Sequence, residues 1–174
     1  MLLKYKSLII RNATIEDSEV LTKWWNDGNV MAHAGFPNGL GITSEEIVES
    51  LKRDSDIRGR RLIIENDSIP IGEMSYYNKG DNIAEIGIKI CDFSKQEKGF
   101  GKIVLSLFIT ELFSMGYEKI ILDTNLNNTR AQRVYEQLGF KKVRVNIDAW
   151  KDQLGASQSS VDYELHKCEL ISFS

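Results

Sequence analysis

Between residues 83 and 90 apolar and polar positions alternate: Ala84, Ile86, Ile88 and Ile90 are interleaved with Glu85, Gly87 and Lys89. That period of two predicts a half-buried strand. The pattern changes after residue 100. Ile103, Val104, Leu105, Leu107, Phe108, Ile109, Leu112 and Phe113 leave almost no polar face, which predicts a helix over 100–115 packed on several sides. Upstream, residues 8–11 read as a short strand. Val20, Leu21, Trp24 and Trp25 recur at helical spacing behind Thr14 and Asp17, a capping-box variant, so a helix is expected over 15–26. Residues 30–42 contain Gly35, Pro37, Gly39 and Gly41 and read as a loop, and Thr43 with Glu46 opens a helix over 44–53. Residues 61–65 and 69–77 are expected strands joined by a turn at Asn66-Asp67-Ser68, and a second turn follows at 78–82. Downstream come a strand at 119–123, a helix that Asn127-Asn128 starts and Gly139 ends, and strands at 140–147 and 161–166. The polar stretch 153–160 reads as a loop. No repeat or linker interrupts residues 1–174, so one α+β domain is the expectation.

Composition narrows the function classes. The chain has 174 residues, 42% hydrophobic and 27% charged, with a formal net charge of −3. That length supports a core, and the charge lacks the basic excess of a nucleic-acid binder. It is compatible with a cationic acceptor such as an amine. Cys91 and Cys168 are far apart and have no metal-ligand spacing, so the expectation is a reduced, cytoplasmic setting without a metal. No run of 18 apolar residues predicts a membrane span.

The candidate chemistry starts at Gln96-Glu97-Lys98-Gly99-Phe100-Gly101-Lys102, between the alternating strand and the apolar helix. Two glycines let a backbone bend and be approached closely. A helix N-terminus beside them offers free N–H groups and a positive dipole end, the requirements of a pyrophosphate site. The segment lacks the lysine and spacing of a nucleoside-triphosphate loop and the third glycine of the dinucleotide fingerprint.

Gln96-x-x-Gly99-x-Gly101 resembles the (Arg/Gln)-x-x-Gly-x-(Gly/Ala) motif of the GNAT acetyltransferase superfamily. Asn128-x-x-Ala131-x-x-x-Tyr135-Glu136-x-x-Gly139-Phe140 resembles that family's second segment, and Arg11 to Asp17 its first strand and helix start. The resemblance covers about 8–148. It implies an α/β/α sandwich: a mixed, mostly antiparallel central sheet with helices on both faces, split to admit the pantetheine arm of acetyl-CoA. The pyrophosphate would then sit on residues 97–102, with Lys98 and Lys102 adding charge, and the arm would pair with the backbone from Ile88 to Ile90. Gln96, Glu97, Lys98, Gly99, Phe100, Gly101 and Lys102 are the expected coenzyme contacts, with Asn128 either a pantetheine contact or simply a helix cap.

In such a family Tyr135 is the expected general acid, protonating the departing thiolate. On the residues alone the alternative is a core tyrosine whose hydroxyl is satisfied. Glu85 resembles the position where several members carry a carboxylate base, and a solvated strand face is the alternative. A backbone N–H would hold the oxyanion. Trp25, Asp27, His33 and Phe36 fall where the family varies to fit its acceptors and are the expected substrate contacts. Cys91 reads as packing and His166 as structural. The segment Trp150 to Gly155 resembles the subgroup that includes ribosomal-protein N-terminal acetyltransferases. The implied reaction is transfer from acetyl-CoA to a peptide N-terminus or small amine in a ternary complex. A longer acyl-CoA donor and a non-catalytic CoA-binding sensor stay open. The family and the apolar strand edges leave room for a homodimer.

Overall fold

The computed structural model describes residues 1–96 and 98–174. Eight strands form one sheet: β1 (Leu2–Tyr5), β2 (Leu8–Asn12), β3 (Gly59–Asn66), β4 (Ile69–Asn78), β5 (Ile83–Ile90), β6 (Lys119–Asn125), β7 (Lys141–Lys151) and β8 (Ser157–His166). Their order across the sheet is β1-β2-β3-β4-β5-β6-β8-β7. Only the β5–β6 pair is parallel, so this is the mixed, mostly antiparallel sheet expected. Among the described residues five α-helices accompany it: α1 (Ser18–Trp25), α2 (Gly28–Met31), α3 (Ser44–Leu51), α4 (Phe100–Ser114) and α5 (Thr129–Gln137).

Strand alternation decides which helices cover which face. Leu62, Ile64, Met74, Tyr76, Ala84, Ile86 and Ile120 point one way and pack with Val104, Phe108 and Leu112 of α4 and Tyr135 of α5. Ile63 points the other way and packs with Leu21 and Trp24 of α1 and Ile47 and Leu51 of α3. β3 is therefore apolar at successive positions because both its faces are covered. Each of these fully buried aliphatic side chains contributes about 1.5–3 kcal/mol by leaving water.

Local chemistry sets the boundaries. The β3–β4 turn has Asp67 and Ser68 at φ 52° and 64°, the left-handed pair of a tight hairpin. Thr43 and Glu46 bond reciprocally, Thr43 N–H to Oε2 at 2.8 Å and Glu46 N–H to Oγ1 at 3.2 Å, and open α3. Asp17 reaches back to the Thr14 N–H at 2.7 Å. It does so on a 3-10 turn, Ile15–Asp17, so the expected helix over 15–26 begins as that turn and becomes α-helical at Ser18.

The structure corrects two sequence expectations and adds one strand that the sequence reading did not place. Residues 30–42 are not all loop: α2 and a 3-10 turn at Ala32–Ala34 occupy their start, with Asp27 accepting from the Asn29 N–H at 2.8 Å to cap α2. Residues 2–5 form a strand, β1, which pairs only with β2 and carries no buried side chain to mark it. The stretch 153–160 is only partly loop, because β8 starts at Ser157 and is held between β6 and β7.

Candidate functional site

The parallel ladder between β5 and β6 is short. Ile83 pairs with Lys119, Ala84 with Ile120 and Glu85 with Ile121, and the pairing ends there. β5 nevertheless runs on to Ile90 along β4, and β6 runs on to Asn125 along β8. The two strands therefore separate beyond Glu85. From Ile86 to Ile90 β5 has no ladder on its β6 side, and the N–H and C=O groups on that edge, apart from the Ile90 carbonyl, are open to an extended ligand.

The glycine loop lies at the far end of that open edge. Gln96 donates from Nε2 to the Ile90 carbonyl at 2.8 Å and ties the loop to the strand end. Gly99, at φ 78°, is the left-handed residue just ahead of α4. A Cβ at Gly99 or Gly101 would meet no atom within 4 Å, so the space over both is open. Phe100, Gly101 and Lys102 place their N–H groups at the start of a 15-residue helix. An anionic diphosphate fits this cradle of open backbone and unpaired amides. Lys98 is exposed beside it, whereas the Lys102 ammonium lies 4.7 Å over the ring of Phe173. Glu97, the remaining expected contact of the loop, lies outside the described residues. Asn128 caps α5, its Oδ1 accepting from the Ala131 N–H at 3.2 Å.

Tyr135 is buried, at 7% exposure, with its ring 5.8 Å from those of Phe140 and Tyr163. Burial first, and the charge of Asp123 second, push its pKa up to about 12. No described residue hydrogen-bonds to its hydroxyl. It is therefore a neutral, unpartnered O–H donor at ordinary pH.

Three carboxylates line the opposite face of the split. Register places Glu85 beside Ile121, two residues before Asp123, and Asp123 opposite Asp162 of β8. Lys79 pairs with Glu85 at 2.7 Å and Arg144 with Asp162 at 3.0 Å. Asp123 has no cation of its own among the described residues, and its pKa is raised by partial desolvation and then by Glu85 and Asp162. Sequence reasoning did not single out Asp123. Its signal was only its place at the end of a predicted strand.

On the same face a cavity of about 120 Å³ is lined by Trp25, Arg61, Glu73, Tyr77, Gly87 and Lys89 among others. Glu73 is 5% exposed, and its Oε1 accepts from Trp25 Nε1 at 2.8 Å and from Lys89 Nζ at 3.0 Å. Trp25 thus borders this cavity. Asp27 is taken up in capping α2, His33 is exposed on the turn that approaches β6, and Phe36 is half-buried just after it. The 30–42 segment is clasped to the β7–β8 turn. Gln153 accepts from the Asn38 N–H at 2.9 Å and donates to the Gly39 carbonyl at 2.9 Å, and the Trp150 ring lies where a Cβ of Gly35 would stand, 2.3 Å away. Cys91 is buried and its thiol is pushed up by that burial, which fits packing and not attack. Among the described residues no group of three metal-ligating side chains occurs, and no helix is long and apolar enough to cross a membrane.

Comparison with known proteins gives these features a context. A family model described as an acetyltransferase (GNAT) domain matches residues 7–141. Among solved structures, a spermidine N-acetyltransferase from Vibrio cholerae, in complex with CoA and spermine, is 21% identical. It aligns over 95% of this chain and 98% of its own with a TM-score of 0.84. A ribosomal L7/L12 alpha-N-protein acetyltransferase in complex with coenzyme A is 15% identical over 95% of this chain and 98% of its own, with a TM-score of 0.83. An acetyltransferase of the GNAT family from Bacillus anthracis is 20% identical, covering 97% of this chain and 100% of its own, at a TM-score of 0.79. A curated relative, an uncharacterized protein of Methanocaldococcus jannaschii, is 28% identical over 138 residues, 79% of this chain. The match spans only 28% of that relative's length.

Proposed function

The chain belongs to the GNAT acetyltransferase family, and on that premise we propose that it transfers the acetyl group of acetyl-CoA to a primary amine by direct attack in a ternary complex. The observation that carries this reading is the split between β5 and β6. It leaves the β6-side edge of β5 from Ile86 to Ile90 without a ladder, with the open glycine cradle at one end and Tyr135 and Asp123 on α5 and β6. The residues fit the coenzyme: Gly99, Phe100, Gly101 and Lys102 present amides to its pyrophosphate, Lys98 adds charge, and Ile88 and Ile90 offer backbone groups to its arm. When bound, the coenzyme supplies an activated acetyl thioester.

The chain's own side chains do the rest. Tyr135 holds a proton that its raised pKa retains at neutral pH, and it can pass that proton to the departing sulfur. Asp123 and Glu85 draw the acceptor ammonium and take its proton. Asp123 is the better base of the two, because it carries no ion pair and its affinity for protons is raised, whereas Glu85 is paired with Lys79. Trp25, Phe36 and His33 form the acceptor side, with Gln153 holding the segment over it.

The test is thiol release from acetyl-CoA in the presence of amines and N-terminal peptides, with products read by mass spectrometry. An acetylated amine in stoichiometry with free CoA supports the transfer. Tight CoA binding without turnover across the panel favours a coenzyme sensor instead. Turnover only with a longer acyl-CoA moves the donor assignment and keeps the scaffold.

A further inference from the structure

A second cavity, about 260 Å³, opens next to the Trp25 cavity and shares Arg61 and Tyr77 with it. Its wall carries three arginines, Arg53, Arg58 and Arg61, against one carboxylate, Asp54. That carboxylate is already committed. Asp54 accepts from the Arg61 backbone N–H at 2.9 Å, from Nε at 3.2 Å and from Nη2 at 2.9 Å. Ser50 Oγ takes a further Nη2 bond at 2.9 Å, and the guanidinium lies 5.7 Å over the Trp25 ring. Arg61 is only 7% exposed and is fixed from several sides. Its Nη1 nevertheless has no hydrogen-bond partner among the described residues. Tyr76 Oη is the one fully enclosed side-chain polar atom without a partner among those residues, so Arg61 Nη1 reaches open volume. Arg53 and Arg58 are exposed and neither guanidinium has an ion-pair partner among the described residues. The cavity is therefore bordered by one buried, fixed guanidinium and by two exposed ones without an ion-pair partner among the described residues, Arg53 also lying near enough to Glu49 to add to Lys52 in lowering its pKa, an arrangement suited to a planar anion.

We propose that this cavity binds a carboxylate carried by the acceptor, some distance from the amine that reacts. The proposal rests on the acetyltransferase reading above. Register supplies the spacing. Gly59 stands opposite Tyr77, and Tyr77 opposite Glu85. The arginine cavity is thus two strand spacings, about 10 Å, from Glu85. An extended peptide advances about 3.3–3.6 Å per residue, so a peptide with its N-terminal amine at Glu85 and Asp123 brings its second to fourth side chains to the arginines. Carboxylates receive the ammonium at one end and guanidinium groups receive an acidic side chain at the other. A polyamine offers nothing to the second subsite and is repelled by it. The acceptor class is a peptide N-terminus followed closely by aspartate or glutamate.

The experiment compares C-terminally amidated peptides that differ only at the second to fourth positions: glutamate, glutamine or lysine. Spermidine and free glutamate complete the panel. The wild-type protein is expected to favour the glutamate peptide over the lysine peptide by about tenfold or more in kcat/KM, the size of one charge-assisted contact partly open to water. That preference shrinks as salt is added. In the exposed double variant R53E/R58E the order of glutamate and lysine peptides inverts. Free glutamate, whose carboxylate lies too close to its amine, is a poor acceptor. Equal turnover of all peptides, or a ratio that the double variant leaves unchanged, overturns the proposal while the transferase reading stands. Calorimetric titration of the same peptides into CoA-saturated protein separates the other case. Glutamate-peptide binding lost in R53E/R58E, without turnover, keeps the carboxylate pocket and sinks the transferase. No binding of the glutamate peptide at millimolar concentration sinks the pocket.

Discussion

The proton-donor role proposed for Tyr135 rests on the surroundings of one hydroxyl. Its ring is core, in contact with Phe140 and Tyr163, and only its Oη is left without a partner. Tyr135→Phe keeps the packing and removes the proton. Turnover is expected to fall about 100-fold with coenzyme affinity nearly intact, as read by steady-state kinetics beside calorimetry. Full turnover in that variant would remove Tyr135 from the mechanism. Asp123 makes a second residue-scale prediction. A carboxylate with a raised pKa stops accepting protons as pH falls through a value above the ordinary 3.8. The acid limb of the kcat/KM profile should therefore lie above the usual carboxylate range. Asp123→Asn should abolish that limb, and Glu85→Gln, which removes one of the charges that raise Asp123, should move it to lower pH without abolishing it. Tyr135 was readable in the sequence because helical spacing and a flanking motif both marked it. Asp123 was not, since its neighbours Glu85 and Asp162 come from β5 and β8 and only the strand register brings them together. The arginine cavity escaped for the same reason: α3, β3 and β4 each contribute a part.

At the scale of elements, the strongly patterned segments were legible and the weakly patterned ones were not. α4 and β5 announce themselves by an unbroken apolar face and by alternation. β1 is buried on neither face, and the start of β8 is serine and glutamine whose backbone pairs with β7. Pairing there comes from neighbours, which a linear pattern does not record. The first helical turn shows how a cap couples elements. Burial of Asp17 opposes its charge. Arg11, with two 2.8 Å bonds, and the Thr14 N–H overcome that and hold the carboxyl below its ordinary value. The sign follows: this contribution is present above the unfolded pKa near 3.8 and is lost as pH falls through the lower folded value. Asp17→Asn is expected to cost about 1–3 kcal/mol at neutral pH and to flatten the acid side of the stability curve, measured by denaturant titration. In the loop before α4, Gly99→Val places a strained, branched side chain in space that is now open. Coenzyme affinity should drop by tenfold or more on the order of the lost amide contacts, while the acceptor KM changes little.

For the whole molecule, the proposed acceptor side is bounded by two segments far apart in sequence. Gln153 bridges them with two side-chain hydrogen bonds, its backbone N–H donates to the Gly35 carbonyl at 2.8 Å, and Trp150 packs on Gly35. Gln153→Ala removes about 0.5–1.5 kcal/mol per bond. The acceptor KM should rise several-fold with coenzyme affinity unchanged, and an equal loss of both would show that the clasp supports the fold and not the acceptor side. The order of the strands carries one more consequence. β8 is inserted between β6 and β7, although it follows both in the chain. A ribosome making this protein therefore releases β7 before the strand that joins it to the sheet exists. Until residues 157–166 have cleared the exit tunnel, the rim of β6 is bare and β7, with Val143, Val145 and Ile147 outward, has nothing to pair with. That interval, and any truncation ahead of residue 157, is when a nascent chain of this kind most needs a chaperone.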